Sequence, residues 1–183
     1  MKYNLEGIKE QYKNDKNMEC ILFWGHRVKE NDVIRKSCFS QWYKVSFNID
    51  GIIYNCAEQY MMAEKAKVFE DVDILLEILE TSEQARIKIL GRMVKNFDEE
   101  IWNNQKYKIV VKANLHKFSQ NEELKEFLIG TGDKVIVEAS LYDKVWGIGM
   151  NESDKDATNP NKWKGENLLG FALMEVRDLL LGK

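Results

Sequence analysis

The stretch from Val135 to Gly170 constrains this chain more than any other. Val135-Ile136-Val137 is an apolar run suited to a buried strand. Glu138-Ala139-Ser140, Asp143 and Trp146-Gly147-Ile148-Gly149 follow, then a long polar loop, then Trp163-Lys164-Gly165-Glu166-Asn167-Leu168-Leu169-Gly170. Glycine lets backbone approach a ligand closely, and tryptophan offers a flat stacking face. No core requires such a loop, so the combination points to a pocket for something flat and polar, such as a nucleotide. The polar loop, roughly Met150 to Glu166, is longer than an ordinary structureless connection.

Elsewhere the chain reads as helices around a few strands. Residues 1–19 are a polar, lysine-rich N-terminal extension, expected to form a loose outer helix, and residues 20–183 form the domain. Cys20 to Gly25 suits a buried strand, and 26–38 is a charged loop. Val45, Phe47 and Ile49 alternate with polar neighbours, Asp50-Gly51 signals a hairpin, and Ile52-Ile53-Tyr54 returns. Asn55 can cap a helix, and Cys56 to about Phe69 is rich in helix formers. Asp71 to Leu79 is a second helical stretch. Thr81 and Gln84 have capping-box spacing for a third that ends near Gly91. Asp98 opens a long helix with Trp102, Ile109, Val110 and Ala113 at helical spacing. Asn121 caps a short helix ending at Gly130-Thr131-Gly132. Asn167 caps the last helix, whose Leu169, Ala172, Leu173, Val176 and Leu180 form one apolar stripe, and Gly182 ends it. The expected fold class is α+β, a mostly helical single domain around a small β-sheet.

Composition narrows the function. No apolar run is long enough to span a membrane, and the N-terminus lacks the apolar core of a signal peptide, so the expected location is cytoplasmic. With 27 lysines and arginines against 30 acids, the formal net charge is −3. That balance disfavours broad nucleic-acid or membrane-surface binding, which requires basic surface. Cys20, Cys38 and Cys56 make no CxxC pair and read as buried or free thiols. His26 and His116 lie in no metal-ligand motif, so no metal site is expected.

Several constellations could carry chemistry. Glu58 and Lys65 are seven residues apart on the helix after the hairpin, nearly two turns, and project from one face. Glu58 sits at the helix start, where the dipole favours a carboxylate; on spacing alone the pair also fits a solvated charged face. Asp143, on a loop just past a strand, suits a site and equally suits a turn. Arg92 could bind phosphate through its bidentate fork, or serve a structural ion pair, as could Arg177. Trp102 falls on an apolar helical stripe. Trp146 and Trp163 are flanked by glycines and are better placed to stack.

Taken together, these residues resemble the NADAR family of YbiA-like N-glycosidases. The pieces run in order from about Cys20 to Leu181. They begin with Phe39-Ser40-Gln41-Trp42-Tyr43, Gly51-x-x-Tyr54 and Ala57-Glu58-Gln59-Tyr60-Met61-Met62-Ala63-x-Lys65-Ala66. Leu90-Gly91-Arg92, Trp102, Lys117-Phe118, Leu128-x-x-Thr131-Gly132 and Val137-Glu138-Ala139 follow. Asp143-x-x-Trp146-Gly147-x-Gly149 and Gly165-x-Asn167-x-Leu169-Gly170-x-x-Leu173-Met174-x-x-Arg177 complete the set. Two positions depart from the pattern: Gln41 stands where Asn is common, and Cys56 where Ser is common.

The resemblance implies hydrolysis of an N-glycosidic bond between a ribose, often phosphorylated, and a base. Early riboflavin-pathway intermediates are one implied substrate class. The alternative within the family is removal of ADP-ribose from guanine in nucleic acid, with nucleic acid entering only as the modified substrate. A non-catalytic ADP-ribose or nucleotide reader is the rival outside the enzyme class. The resemblance implies no metal and no cofactor. It assigns catalysis to Glu58, Lys65 and Asp143, and substrate binding to Trp42, Tyr43, Arg92, Trp102, Trp146, Gly147 and Asn167.

Overall fold

Helices carry about half of this chain, and several of their boundaries follow from local sequence. The computed structural model describes residues 1–26 and 34–183, so part of the charged stretch 26–38 expected to form a loop lies outside the described residues. Helix α1 (Leu5–Asn14) is capped by Asn4, whose side chain accepts the Gly7 N–H. Strand β1 is Cys20–Phe23. A short 3-10 turn, Lys36–Phe39, precedes the hairpin of β2 (Phe47–Ile49) and β3 (Ile52–Tyr54). Asp50 and Gly51 both take positive φ, 53° and 85°, the backbone that a tight two-residue hairpin turn demands.

Four helices follow: α2 (Ala57–Val68), α3 (Val72–Glu80), α4 (Gln84–Met93) and α5 (Glu99–Ser119). Asp71 caps α3 through the Ile74 N–H, and Asp98 caps α5 through the Ile101 N–H at 2.9 Å. Then come α6 (Glu122–Ile129), β4 (Val135–Glu138), a 3-10 turn at Pro160–Lys162 and α7 (Leu168–Leu180). None of the helices among the described residues is long and apolar enough to cross a membrane.

The chain forms two compact units. In Gln41–Asn121, helix α2 is the hub, packed by α3, α4 and α5. Every residue from Ala57 to Ala63 is buried, Glu58 and Gln59 included. A helix with no solvent side must satisfy its polar groups internally. Gln59 does so three times: Oε1 accepts the Asn55 N–H at 2.7 Å, and Nε2 donates to the Ile78 and Thr81 carbonyls at 2.9 Å each.

The other unit comprises Met1–Ser40 and Glu122–Lys183. Its β1 and β4 pair in parallel, Cys20 opposite Val135 and Phe23 opposite Glu138. Helix α7 packs on β4 and α6 on α7. Val135, Ile136, Val137, Phe171, Ala172, Leu173 and Val176 are fully buried. The small sheet is therefore two separate two-stranded pieces, one parallel and one antiparallel.

Several local expectations give way. Asn55 does not cap α2; Cys56 holds that position without a side-chain bond, and the Asn55 N–H donates to Gln59 Oε1. Thr81 and Gln84 form no capping box: Glu83 occupies the N-cap of α4, and Thr81 Oγ1 accepts the Glu83 N–H instead. Asn167 stands at the N-cap of α7 yet makes no side-chain cap bond. Its backbone is left-handed, φ 57° and ψ 34°, and its wholly buried amide turns to β4. There Oδ1 accepts the Glu138 N–H at 2.9 Å and Nδ2 donates to the Ile136 carbonyl at 3.0 Å. The side chain thus stands in for a missing neighbour strand.

Asn167→Ala should lower unfolding stability by roughly 2–4 kcal/mol, through two orphaned buried backbone groups and a left-handed alanine. Asn167→Gly, which tolerates the backbone, should lose less than the alanine variant. Denaturant midpoints of the three proteins check this; equal losses in both variants would refute the backbone contribution.

Candidate active site

The candidate groups on α2 begin at its first turn. Glu58 is only 5% exposed, and its backbone N–H donates to the Gln41 carbonyl at 2.9 Å. A carboxylate at this turn gains from the helix dipole. Two turns further on, Lys65 Nζ donates to the Gly91 carbonyl at 2.8 Å. Nζ also lies 4.2 Å from the Phe97 ring centroid and 5.8 Å from that of Trp102. Burial pulls the Lys65 amine below the ordinary lysine value, because desolvation disfavours the ammonium. The solvated-face reading fails for this pair, since Glu58 is buried and Lys65 is held by a carbonyl and two rings.

Gly91 makes that arrangement possible. It lies inside α4 rather than after it, so the helix runs on to Met93. A Cβ there would come 1.9 Å from Met62 Sδ. Only glycine lets α4 approach α2 this closely, which brings the Gly91 carbonyl within reach of Lys65. Arg92 follows on the exposed side of α4.

The aromatic candidates of this unit have separate settings. Trp42 is half-buried, with Lys88 Nζ 5.5 Å from its ring centroid and its carbonyl accepting from Gln84 Nε2 at 3.3 Å. Tyr43 is buried, and Lys117 Nζ lies 5.5 Å from its ring centroid. Trp102 is half-buried on α5. Two residues have no site role in the sequence reading. Phe97, 45% exposed, covers Lys65; its signal was hydrophobic-staple spacing, Phe97 before the Asp98 cap and Trp102 four positions after it. Lys117 is fully buried; its signal was its place on the α5 stripe of Val110, Ala113 and Asn114.

In the other unit, Asp143 organises a turn. Oδ1 accepts the Val145 N–H at 3.0 Å and the Trp146 N–H at 2.8 Å. Its own N–H donates to Ser140 Oγ at 3.2 Å. Trp146 is half-buried, and its carbonyl accepts the Leu169 N–H. Gly147 is buried, and its carbonyl accepts the Asn167 N–H. Residues 144–148 and 164–168 are laced by further bonds, Lys164 N–H to Ile148 O and Glu166 N–H to Lys144 O, both 2.9 Å. A Cβ at Gly165 would sit 2.3 Å from the Gly147 carbonyl. This glycine therefore admits one backbone to another. Trp163 Nε1 donates to the Ala157 carbonyl at 2.8 Å and staples the long loop. Arg177 is buried and donates to Thr131 Oγ1 and the Lys134 carbonyl, a structural setting.

A model of the NADAR domain matches residues 22–181. The chain is 48% identical, over 145 residues, to an N-glycosidase of Acanthamoeba polyphaga mimivirus, covering 76% of this chain and 85% of that protein. It is 30% identical, over 142 residues, to the N-glycosidase YbiA of Escherichia coli strain K12, covering 78% and 80%. Protein irg-1 of Caenorhabditis elegans is 37% identical over 129 residues, 69% of this chain and 61% of that one. Among solved structures, the NMR structure of E. coli YbiA aligns with a TM-score of 0.71 at 27% identity, over 89% of this chain and 85% of that one.

Gly91→Ala should destabilise the protein by about 1–3 kcal/mol through overpacking. In a Met62→Ala background the same change should cost less, since contacting sites couple. A four-member set of denaturation curves tests this; an equal effect in both backgrounds would clear Met62 as the obstacle.

Proposed function

The chain belongs to the NADAR family and is an enzyme of the glycosidase class; within that class we propose that it hydrolyses the N-glycosidic bond between a phosphorylated ribose and a base. Early intermediates of riboflavin synthesis are the substrate class we favour. The observation that carries the reading is Lys65: an amine depressed by burial and held by the Gly91 carbonyl beneath Phe97, on the helix that opens with buried Glu58. A depressed lysine is an effective nucleophile because more of it is unprotonated.

In the proposed reaction, positive charge builds at the anomeric carbon as the bond to the base breaks, and the electron pair leaves with the base. Lys65 Nζ forms the new bond to that carbon and loses a proton. Ring opening gives a protonated Schiff base, which water hydrolyses to free sugar and amine. Glu58, as a carboxylate, stabilises the developing cation, accepts the proton that Lys65 loses and passes it to the departing base. Arg92 is assigned to phosphate, Trp42, Tyr43 and Trp102 to substrate contact. For Asp143, Trp146, Gly147 and Asn167, in the other unit, the resemblance supplies the assignment: ribose hydroxyls or water for Asp143, the base for Trp146, and the shape of the loop for the other two. The net charge of −3 favours a small riboside over nucleic acid, whose binding is driven by cationic surface.

Chromatography of enzyme incubated with phosphorylated ribosides should reveal free base. Glu58→Gln should slow release by about 10²–10⁴-fold. Lys65→Ala should abolish both turnover and the adduct that borohydride traps in the wild type. Full turnover by Lys65→Ala would eliminate the covalent route. Base release only from ADP-ribosylated DNA would redirect the substrate assignment, and binding without any release would mean a reader.

A further inference from the structure

We infer that Lys117 is a positioning residue for this reaction, its buried ammonium holding Glu58 in the carboxylate form at the start of α2. The inference rests on the assignment of Glu58 to proton transfer.

Lys117 is fully buried, on the last turn of α5. Lysine is almost never fully buried unless it is paired. Its Nζ lies 5.5 Å from the Tyr43 ring centroid and 5.2 Å from that of Phe118. One turn earlier, fully buried Asn114 donates to Gln41 Oε1 at 2.8 Å. The Gln41 carbonyl in turn accepts the Glu58 N–H at 2.9 Å. A single residue thus ties the face of α5 that carries Lys117 to the turn of α2 that carries Glu58. At the N-cap of α2, burial is the main influence that raises the Cys56 thiol; the Gln59 N–H opposes it, Glu58 adds to the rise and Lys117 also opposes it, so both side chains lie near this turn.

Electrostatics makes the pairing consequential. A carboxylate buried as deeply as Glu58 tends to take up a proton, and a buried lysine tends to lose one. Opposite charges at close range let both stay ionised. The reaction needs Glu58 charged, to face a developing cation and to accept a proton. Removing the cation would return Glu58 towards its protonated, inactive form at neutral pH.

The other titratable groups around the pair in this unit have their own settings. Tyr43 lies under Lys117, and burial holds Tyr54 and Tyr60 above the ordinary tyrosine value. His116, beside Lys117 in sequence, is turned to Gln120 at 3.1 Å. Lys112 pairs with Asp50 and lies 6.0 Å from the Tyr60 ring. Lys88 of α4 is turned to Trp42, and Lys65 to the Gly91 carbonyl.

The sign of the effect is fixed: losing a cation near a carboxylate makes its proton harder to remove. Lys117→Met should shift the acid limb of the kcat/KM profile upward by about 1–3 pH units, and lower kcat at neutral pH more than it raises KM. Lys117→Arg should move the limb back towards the wild-type position. An unmoved limb in a folded Lys117→Met enzyme would overturn the inference.

A second measurement requires neither turnover nor a stable Lys117→Met protein. Lysine labelled with carbon-13 at Cε is titrated by NMR in the wild type and in Glu58→Gln, with the Lys117 signal assigned by its loss in Lys117→Arg. Without its counter-charge, Lys117 should titrate at lower pH, by about one unit or more. An unchanged titration sinks the pairing whatever the enzyme's substrate. Wild-type protein that releases no base from any riboside would instead defeat the functional reading and leave this result standing.

Discussion

Helix α2 has no solvent side over its first two turns, and much of the Gln41–Asn121 unit is arranged around that constraint. A helix wrapped by three others must find an internal partner for every polar atom it carries. Gln59 meets the demand by binding the end of the hairpin and the end of α3 at once. The Glu58 backbone N–H meets it at the Gln41 carbonyl, and the Lys65 amine at the Gly91 carbonyl. These bonds fix the groups in a rigid, poorly hydrated setting, where charges interact strongly. The packing that excludes water is the same packing that depresses the Lys65 amine.

The other unit solves a complementary problem. Its two-stranded parallel pair is too small to satisfy the backbone of β4 on both sides. The Asn167 amide supplies the missing donor and acceptor, and its left-handed backbone aims the side chain away from the helix it begins. The loop between β4 and α7 is then laced backbone to backbone, with Asp143 setting the first turn. The glycine and tryptophan content that suggests a ligand pocket is explained in large part by this internal lacing, Gly165 and Trp163 above all. Asp143 and Trp146 keep partly open settings within it.

What the sequence disclosed is what neighbouring residues decide. Asp50-Gly51 takes the left-handed turn that its chemistry demands, Asp98 caps α5, and the apolar stripe of α7 is buried. The structure departs from local chemistry where a group elsewhere in the fold intervenes. Gly91 has the look of a helix end, but it lies inside α4, where Met62 leaves no room for a Cβ. Asn167 sits at a helix start, but β4 recruits its amide. The candidate site follows the same division. The spacing of Glu58 and Lys65 on one helix was readable, whereas the rings and carbonyl that desolvate Lys65 come from α4, α5 and the segment between them. Lys117 stands out in sequence only as one piece of the family pattern, because a lysine on an apolar stripe does not by itself disclose that it is fully buried.

The pairing of Cys20 with Val135 also bears on how the polypeptide matures. The Gln41–Asn121 unit is one uninterrupted segment whose contacts can form as soon as that segment exists. The unit holding β1 and β4 is assembled from two separated segments, and its parallel strands must wait for the intervening chain to be made. Closing so long a loop is entropically expensive, and such nonlocal pairing is slow. During synthesis, Cys20–Phe23 must therefore remain an unpaired apolar strand until its partner emerges. Until then its unpaired backbone is open to misassociation.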